Sequence, residues 1–483
     1  MSPGTEKAAP LDRRLLAVAL VVAIGAVTPI VDMTIIGVAL RTLSDSFDTG
    51  LSTVQWVITG YILTTAMVVP LTGWATEAFG GRRLWLAALT IFTAGSLLCA
   101  LSWSIGSLIA FRLVQGIGAG LLGPVGTAIV ARAAGPKRMG RAMSVVGVPL
   151  VLGPVIAPVI GGILLDLVSW RWIFLINLPI GAVAFALSWV VFDRDDKADT
   201  GTSRGRIDVR GFLLLCPGVT LLVYGLVNVT SVGALTSAAF LLPGVTGIVL
   251  LAVFVRHALA VDKPLLDLRV LGNVTVSSAG AIQFLMNATL SGAMMIFPLY
   301  YQLARGESPL IAGLLLVPQG LGVAMTMPIA GRIVDRGRPS LLVLCGIPLL
   351  ALGFVSFTMA GADGSYLRLG LSLWVIGVGA GCTIMPALTT AYRALSPQRI
   401  PHVTATFSIL QELGASSAVA VFIVVLEAQL AANGADPAAA FRSVFWLPLA
   451  LVLLCLIPAV VAWRSTRPRA AVPPERELAE VDS

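Results

Sequence analysis

Long apolar stretches separated by short polar ones make up most of the chain. Windows of about nineteen residues locate blocks long enough for a helix to cross a hydrocarbon layer of roughly 30 Å. The blocks lie near residues 15–40, 54–76, 84–103, 105–134, 142–165, 172–192, 211–229, 238–257, 274–303, 310–331, 341–360, 367–392, 404–430 and 444–463. Because lipid offers no hydrogen bonds to an exposed backbone, the pattern predicts an all-α integral membrane protein with about fourteen transmembrane helices.

Polar stretches divide this pattern into four regions. Residues 193–210 contain so many charged and small polar side chains that no part of them can be buried in lipid. We therefore expect an N-terminal six-helix bundle, cytoplasmic linker segments with two inserted transmembrane helices, a C-terminal six-helix bundle and a cytoplasmic tail. These regions are residues 1–192, 193–270, 271–464 and 465–483.

Lysine and arginine are unevenly shared between the two sides of the predicted membrane. With the N-terminus inside, the inner segments hold 26 of the 32 basic residues, and one more lies within a span. The outer loops hold only Arg41, Arg171, Arg305, Arg368 and Arg442. This bias predicts that both termini are cytoplasmic. The excess of Arg over Lys, with abundant Ala and Gly, is typical of a GC-rich bacterial genome, so the expected location of this membrane protein is a bacterial cytoplasmic membrane.

Composition narrows the classes of function. The chain is 57% hydrophobic and 12% charged, whereas soluble domains carry about a quarter charged residues. The net charge of +8 comes from clusters between apolar blocks, which indicates membrane topology and not nucleic-acid binding. The cysteines all lie in apolar blocks, and no phosphate-binding glycine loop is present. We therefore expect no disulfide framework, no metal site and no direct use of a nucleotide.

The two outer blocks of six resemble each other in sequence. Ala66, Met67, Pro70, Gly73 and Glu77 recur 258 residues later as Ala324, Met325, Pro328, Gly331 and Asp335. A weaker repeat pairs the glycines at 116, 118 and 120 with those at 377, 379 and 381. Parallel repeats of this kind predict two bundles around a central path, which is a transporter architecture.

Four motifs lie in the N-terminal half of the chain. They are the loop 73–83, the helix-four segment 112–118, the Gly- and Pro-rich segment 147–162 and the segment 170–179. Together they resemble the major facilitator superfamily, and the inserted helix pair resembles its fourteen-helix drug and proton antiporter branch. The resemblance implies a monomeric secondary transporter that uses a proton gradient and needs no cofactor.

The loop between helices two and three resembles the signature of the family and predicts a conformational latch. Glycines permit a tight turn, and an acid at a helix end can pair with Arg across the bundle interface. Glu77 stands where the family usually has Asp, and Ala78 where it has a basic residue, so the first copy is expected to be the weaker latch. A basic loop that only fixes topology is the alternative. The latch residues are Gly73, Glu77, Gly80, Arg82 and Arg83, with Gly331, Asp335, Arg336 and Arg338 in the second copy.

Helix five resembles the antiporter signature of the family. Glycine allows close helix contact and proline removes a backbone donor, so the segment can bend and pack tightly between the bundles. Gly and Pro that are ordinary for a membrane helix are the alternative. The residues concerned are Gly147, Gly153, Pro154, Pro158, Gly161 and Gly162.

Three charged residues fall within predicted spans: Asp32, Arg112 and Glu412. A charge at mid-bilayer costs several kcal/mol unless it is paired, hydrated or neutralised, so we expect these residues to couple protons to transport. In the family that the chain resembles, the acid of helix one is linked to proton or cation handling and the helix-four Arg to coupling. Structural roles remain the alternatives for Asp32 and Arg112, and a water-facing position for Glu412. His402 is expected at the membrane interface.

A cavity for hydrophobic substrates needs apolar and adaptable lining groups with a few polar ones. The candidates for substrate binding are Tyr61, Met67, Gln283, Asn287, Met294 and Gln319. For most of them, packing between helices is an equal alternative.

The expected function is proton-coupled export of hydrophobic or cationic drugs and related amphipathic compounds by alternating access. Export of an endogenous lipid or secondary metabolite on the same fold is the alternative. An enzyme is not expected, because two well-separated histidines supply neither a metal site nor a nucleophile cluster. A channel is not expected, because continuous polar rings are absent and the two-bundle repeat favours rocking.

Overall fold

The computed structural model describes residues 12–193, 208–227, 233–262, 264–336, 339–361, 364–396, 399–434 and 436–466. Every regular element in this part of the chain is helical. Thirteen stretches of it are long and apolar enough to cross a membrane. Most of the predicted linker 193–210 and nearly all of the predicted tail 465–483 lie outside the described residues.

The N-terminal bundle contains seven helices that build six spans. The predicted spans near 105–134 and 142–165 form one long helix, which bends at Gly135 where φ is +60°. This backbone conformation suits a residue without Cβ. The second half of that helix corresponds to the predicted span near 142–165, which is not among the thirteen apolar stretches. The helices are α1 Arg13–Ser46, α2 Leu51–Val68, α3 Thr72–Phe79, α4 Gly81–Ala100, α5 Ile105–Leu167, α6 Trp172–Leu175 and α7 Asn177–Val191.

The two inserted helices are α8 Val209–Val227 and α9 Ala238–Ala260. They cross closely, because a Cβ on Gly247 of α9 would lie 2.7 Å from the backbone nitrogen of Leu222 on α8. Leu215 and Val219 of α8 share one apolar cluster with Ala66 in the N-terminal bundle and with residues of the C-terminal bundle. The inserted pair therefore covers one seam between the two bundles.

The C-terminal bundle repeats the plan of the first. Its core contains stacked and tilted aromatic rings, including Phe297, Phe354, Phe357 and Phe445. The helices are α10 Val274–Leu299, α11 Pro309–Leu314, α12 Val317–Asp335, α13 Pro339–Thr358, α14 Tyr366–Arg393, α15 Ile400–Asn433, α16 Pro437–Val444, α17 Trp446–Leu454 and α18 Leu456–Thr466. The predicted all-α membrane fold is thus confirmed.

Four predicted spans are interrupted by short turns that the hydropathy pattern does not show. The last of these spans is interrupted twice. Each interruption contains a proline or lies within four residues before one, and the prolines are Pro70, Pro179, Pro318, Pro448 and Pro458. Proline has no N–H to donate to the carbonyl of the preceding turn, so the helix breaks or tightens there. The breaks change local direction and leave the order of spans intact.

Equivalent glycines of the sequence repeat lie at close helix–helix contacts in both bundles. A Cβ on Gly118 of α5 would lie 2.5 Å from the backbone nitrogen of Phe92 on α4. A Cβ on Gly379 of α14 would lie 2.8 Å from the carbonyl oxygen of Gly346 on α13. In both places the helices touch backbone to backbone, which is a close form of membrane-helix packing.

Candidate functional site

A buried carboxylate, Asp32, lies in the middle of α1 inside the N-terminal bundle. Its exposed fraction is 1%, and that of Arg112 on α5 is 0%. The Arg112 guanidinium donates from Nη1 to Asp32 Oδ2 at 2.5 Å. The structure therefore brings together two of the three charged residues that the sequence places within spans, and it pairs them.

Two amide side chains complete the environment of the carboxylate. Gln115 Nε2 donates to Asp32 Oδ1 at 3.1 Å, and Asn177 Nδ2 donates to the same oxygen at 2.7 Å. Both amides also donate to Ser96 Oγ on α4, at 3.0 and 2.9 Å. Asp32 thus accepts three hydrogen bonds from side chains of α5 and α7, an arrangement that suits its ionised form because a carboxylate only accepts.

Arg112 is anchored on three further sides. Its Nε donates to the carbonyl oxygen of Val57 on α2 at 3.1 Å, and its Nη1 donates to Gln115 Oε1 at 2.7 Å. Its guanidinium carbon lies 3.9 Å from the centre of the Tyr61 ring. Removing one partner of a buried ion pair costs about 3–5 kcal/mol, because the other charge is left uncompensated.

Local sequence explains why these groups meet. Arg112 and Gln115 are three residues apart on α5, so they share one helix face. A Cβ on Gly95 of α4 would lie 2.7 Å from the Cα of Gln115, so glycine at this position lets the two helices approach. Ser104 and Ser107 form a capping box that fixes the start of α5. Asn177 comes first in α7, directly after the break caused by Pro179.

Glu412 lies apart from this network, on α15 in the other bundle. Its side chain is half-buried. It has no hydrogen-bond or ion-pair partner within the part of the chain that the structure describes. The structure does not connect it to Asp32, so its predicted part in coupling stays a prediction.

The candidate substrate residues are spread over both bundles. Tyr61 is buried against Arg112, whereas Met67 and Met294 are exposed. Gln283 on α10 is fully buried, and neither polar atom of its amide group has a hydrogen-bond partner in the part of the chain that the structure describes. Asn287, one turn further on, donates to the backbone carbonyl of Gln283 at 3.0 Å. On α12, the buried Oε1 atom of Gln319 also has no hydrogen-bond partner within the described ranges.

The second copy of the predicted latch joins the two bundles. Asp335 at the end of α12 accepts from the backbone N–H of Gly140 at 3.0 Å and from Arg141 Nε at 2.6 Å. Arg393 Nη2 lies 3.7 Å from the same carboxylate. A Cβ on Gly140 would lie 2.7 Å from the carbonyl oxygen of Gly331, so α5 and α12 cross with their backbones in contact. The Asp335 side chain is completely buried.

The first copy of the latch also reaches the other bundle, but at the surface. Glu77 Oε1 lies 2.8 Å from His402 Nε2 on α15, and the Glu77 side chain is 46% exposed. Gly73 faces the same histidine, because a Cβ there would lie 3.2 Å from its Cα. His402 therefore lies between the bundles, a contact that the sequence did not predict.

The remaining latch residues differ in how far they are buried. Arg82 donates to the carbonyl oxygen of Trp189, in its own bundle, at 2.7 Å. Gly80 ends α3 with φ of +84° and is buried. Arg83 and Arg336 are exposed, and Arg338 lies outside the described residues.

The glycines of the predicted antiporter signature face both α1 and the other bundle. A Cβ on Gly153 would lie 2.9 Å from Val27 Cγ2, and one on Gly161 would lie 3.0 Å from Ile35 Cγ2, both on α1. A Cβ on Gly147 would lie 2.6 Å from Met327 Sδ on α12. Gly162 faces open space. The second half of α5 thus lies between the helix that carries Asp32 and the C-terminal bundle. The side chains of Pro154 and Pro158 are outside the described residues.

Sequence reasoning missed Ser96, Gln115 and Asn177, although two of them lie inside motifs that it singled out. The signal that could have found them is a polar side chain on the same helix face as a charged one, or at a helix start beside it. Within the described residues, no group of three or more His, Cys, Asp or Glu side chains could hold a metal ion.

The family model of the Major Facilitator Superfamily matches residues 22–419. The chain is 40% identical over 422 residues to the multidrug resistance protein B homolog of Mycobacterium tuberculosis, which covers 87% of this chain and 77% of that protein. It is 31% identical over 449 residues to the putative multidrug resistance protein MdtD of Cronobacter sakazakii, covering 91% and 93% of the two.

Solved structures share the fold. The human organic anion transporter MFSD10 superposes with a TM-score of 0.65 at 18% identity, covering 92% of this chain and 100% of that one. The proton:xylose symporter XylE superposes with the same TM-score, 0.65, at 14% identity, covering 94% and 96%. The chain therefore belongs to the major facilitator superfamily, in its fourteen-helix branch, and is a multi-pass membrane transporter and not an enzyme.

Proposed function

We propose that the protein exports hydrophobic or cationic amphipathic compounds in exchange for protons, by alternating access of a central path to the two sides of the membrane. The observation that carries the proposal is the Asp32 carboxylate, which is buried in a bundle core and paired with Arg112. A charge in this position is costly to keep and is a functional feature by default. The relatives named multidrug resistance proteins support the substrate class.

Proton coupling follows from the contrast between the two states of Asp32. When ionised, the carboxylate accepts from Arg112, Gln115 and Asn177 and holds α1 against α5 and α7. Protonation removes the attraction to Arg112, whose charge is permanent. Asp32 takes up one proton from the outer side and releases one to the inner side in each cycle. Because the second half of α5 packs on both α1 and α12, a shift of α1 changes the contact between the bundles.

The two latches support closure of one side of the central path. Asp335 with Arg141, and Glu77 with His402, both join the bundles at the ends of spans that the basic-residue bias places in the cytoplasm. When these contacts form, the cytoplasmic side is closed and Asp32 exchanges its proton with the outside. When they separate, the path opens to the cytoplasm and admits substrate.

The substrate path is proposed to use side chains of both bundles. The unpaired amide of Gln283 supports this, since a buried amide without partners costs free energy unless something hydrogen-bonds it in another state. Met67 and Met294 supply flexible apolar contact. The protein is proposed to act as a monomer in the cytoplasmic membrane with both termini inside, and Glu412 as a second protonation site.

Transport by the purified chain in lipid vesicles tests the proposal, with the dye ethidium as a cationic probe. An imposed pH gradient should drive ethidium uphill against the direction of proton flow, and a protonophore should abolish this movement. Conversely, an ethidium gradient alone should move protons in the opposite direction. Ethidium flux that ignores the pH gradient would contradict proton coupling. Movement of a fluorescent lipid but not of ethidium would favour the lipid-export alternative.

A further inference from the structure

Asn177 has two hydrogen-bonding groups, of which the structure uses one. Both protons of its amide nitrogen are engaged, by Asp32 Oδ1 at 2.7 Å and by Ser96 Oγ at 2.9 Å. Its carbonyl oxygen is buried and has no hydrogen-bond partner among the described residues. The residue itself is completely buried. An acceptor therefore lies unused beside the carboxylate, on the same amide group that donates to it.

Gln115, the other amide in contact with Asp32, forms hydrogen bonds through both its nitrogen and its oxygen. Its nitrogen donates to Asp32 and to Ser96, and its oxygen accepts from Arg112 Nη1 at 2.7 Å. Turning the Gln115 amide would place its nitrogen against the guanidinium, donor against donor. Asn177 can turn without breaking a bond to its oxygen.

A carboxyl group that changes its protonation state needs different neighbours in each state. The ionised form only accepts hydrogen bonds, whereas the acid has one O–H to donate. A donor without an acceptor is costly in a membrane interior, where water does not compensate it. Among the described residues, each side chain that hydrogen-bonds the Asp32 carboxylate does so as a donor. The acid form lacks an acceptor unless one of these side chains turns.

We propose that Asn177 is the positioning residue that holds Asp32 in both protonation states. Its amide nitrogen donates to the carboxylate and, after the amide turns, its carbonyl oxygen accepts a hydrogen bond from the O–H of the acid. The inference rests on the proposed function, because it assumes that Asp32 is protonated and deprotonated during transport. Asp32 alone gains and loses the proton, and Asn177 exchanges none.

The other charged or titratable groups around the network do not compete for this role. Arg112 on α5, Tyr61 on α2 and Cys99 on α4 face it, and the described parts of α6 and α7 contribute none. All three ordinarily titrate well above the range in which a carboxyl group does. Among the described residues, Asp32 is therefore the carboxyl group of the network.

Two substitutions at position 177, to Thr and to Val, test the proposed contact, because these two side chains have the same shape and differ in one hydroxyl group. Asn177→Thr keeps a hydroxyl that can either donate or accept, whereas Asn177→Val has neither group. Thr289→Val on α10 is the control, since it removes a buried hydroxyl that bonds only its own helix, at Leu285. The readout is the pH dependence of ethidium exchange in vesicles, measured together with the amount of folded protein.

The expected results separate the two variants. Asn177→Val loses the hydrogen bond to the carboxylate and also the one from the acid. Because a hydrogen bond to an ionised group is worth more than one to a neutral group, the pH midpoint of exchange should rise by about one unit in this variant. The maximal rate falls roughly tenfold in the same variant, because the acid has no acceptor. Asn177→Thr and Thr289→Val keep the wild-type midpoint. Equal profiles for the Val and Thr variants of Asn177 would overturn the proposal.

Infrared difference spectra provide a second measurement that does not depend on the Val variant folding. Acidifying the wild-type protein should change an amide carbonyl band together with the carboxyl band of Asp32, and the amide change should be missing in Asn177→Thr. A carboxyl change without an amide change would overturn the inference. If the carboxyl change itself persists in Asp32→Asn, it is the proposed function that fails, and the two failures are thereby distinguished.

Discussion

The two latches should differ strongly in how much they stabilise closure of the cytoplasmic side. Asp335 is completely buried and accepts from Arg141 Nε at 2.6 Å and from the Gly140 N–H at 3.0 Å. Glu77 is 46% exposed and has His402 as its partner across the bundles. Hydrogen bonds to charged groups are worth about 1.5–3 kcal/mol when buried. Exposed ion pairs are worth about 0–1 kcal/mol.

Neutralising each acid with its amide tests this difference. Asp335→Asn removes the charge that faces Arg141 and should shift the equilibrium toward the open cytoplasmic side by about 10- to 150-fold. Glu77→Gln should shift it by less than about fivefold. The weaker first copy is also what the replacement of the usual Asp by Glu77 predicts.

Electron spin resonance distances between the bundles are a direct assay. Spin labels at Phe79→Cys and Ser396→Cys, both exposed on the predicted cytoplasmic side, report the separation of the bundles in a chain whose native cysteines are replaced. The Asp335→Asn variant should populate a longer distance that the wild type and Glu77→Gln scarcely show. Equal populations in the two variants, or a larger shift for Glu77→Gln, would refute the reasoning.

Four further outcomes are expected. Arg112→Lys should lose most gradient-driven ethidium export despite keeping its charge, because an ammonium cannot bond the carboxylate, the Gln amide and the α2 carbonyl with one planar group. The double variant Gly153→Ala with Pro154→Leu should reduce transport far more than membrane abundance, since a Cβ at 153 would lie 2.9 Å from a Val side chain of α1. A reporter enzyme in residues 193–210 should be active only in the cytoplasm, and an external signal would overturn the topology. Burial alone raises the pKa of Asp208, but hydrogen bonds from backbone N–H groups and a His ring outweigh it and leave the pKa below its usual value. Asp208→Asn should therefore lower thermal stability by about 1 kcal/mol at neutral pH. The difference from the wild type should vanish as pH falls through that lowered pKa.

Hydropathy predicts the fold because lipid admits few kinds of spanning structure. For apolar blocks of this length, helices satisfy the backbone hydrogen bonds within each span, so the pattern predicts helices. The sequence predicted separate spans on the two sides of Gly135 and did not predict that one bent helix joins them. The breaks near prolines were not predicted, because proline is tolerated in membrane helices and does not always interrupt them. The sequence repeat gave the relation between the bundles, since equivalent glycines pack equivalent helices.

The site was predictable only as far as charge reveals it. Asp32 and Arg112 stand out because ions are rare within spans, but the same argument selected Glu412, which has no partner in the described part of the chain. Neutral amides such as Gln115 and Asn177 are common enough in spans to give no signal alone. The contact between Glu77 and His402 joins residues 325 positions apart, so it depends on how the bundles dock.

The measurement that tests the account most directly is ethidium transport by Asp32→Asn in reconstituted vesicles, with Asp32→Glu and Thr289→Val beside it. The amide cannot cycle a proton, so this variant should lose uphill transport driven by a pH gradient while it still exchanges ethidium for ethidium at equal concentrations. The Glu variant keeps a titratable group and should retain part of the uphill flux with a shifted pH dependence, and the Val control should match the wild type. Wild-type uphill flux by Asp32→Asn would contradict the account and would leave Glu412 as the next residue to examine.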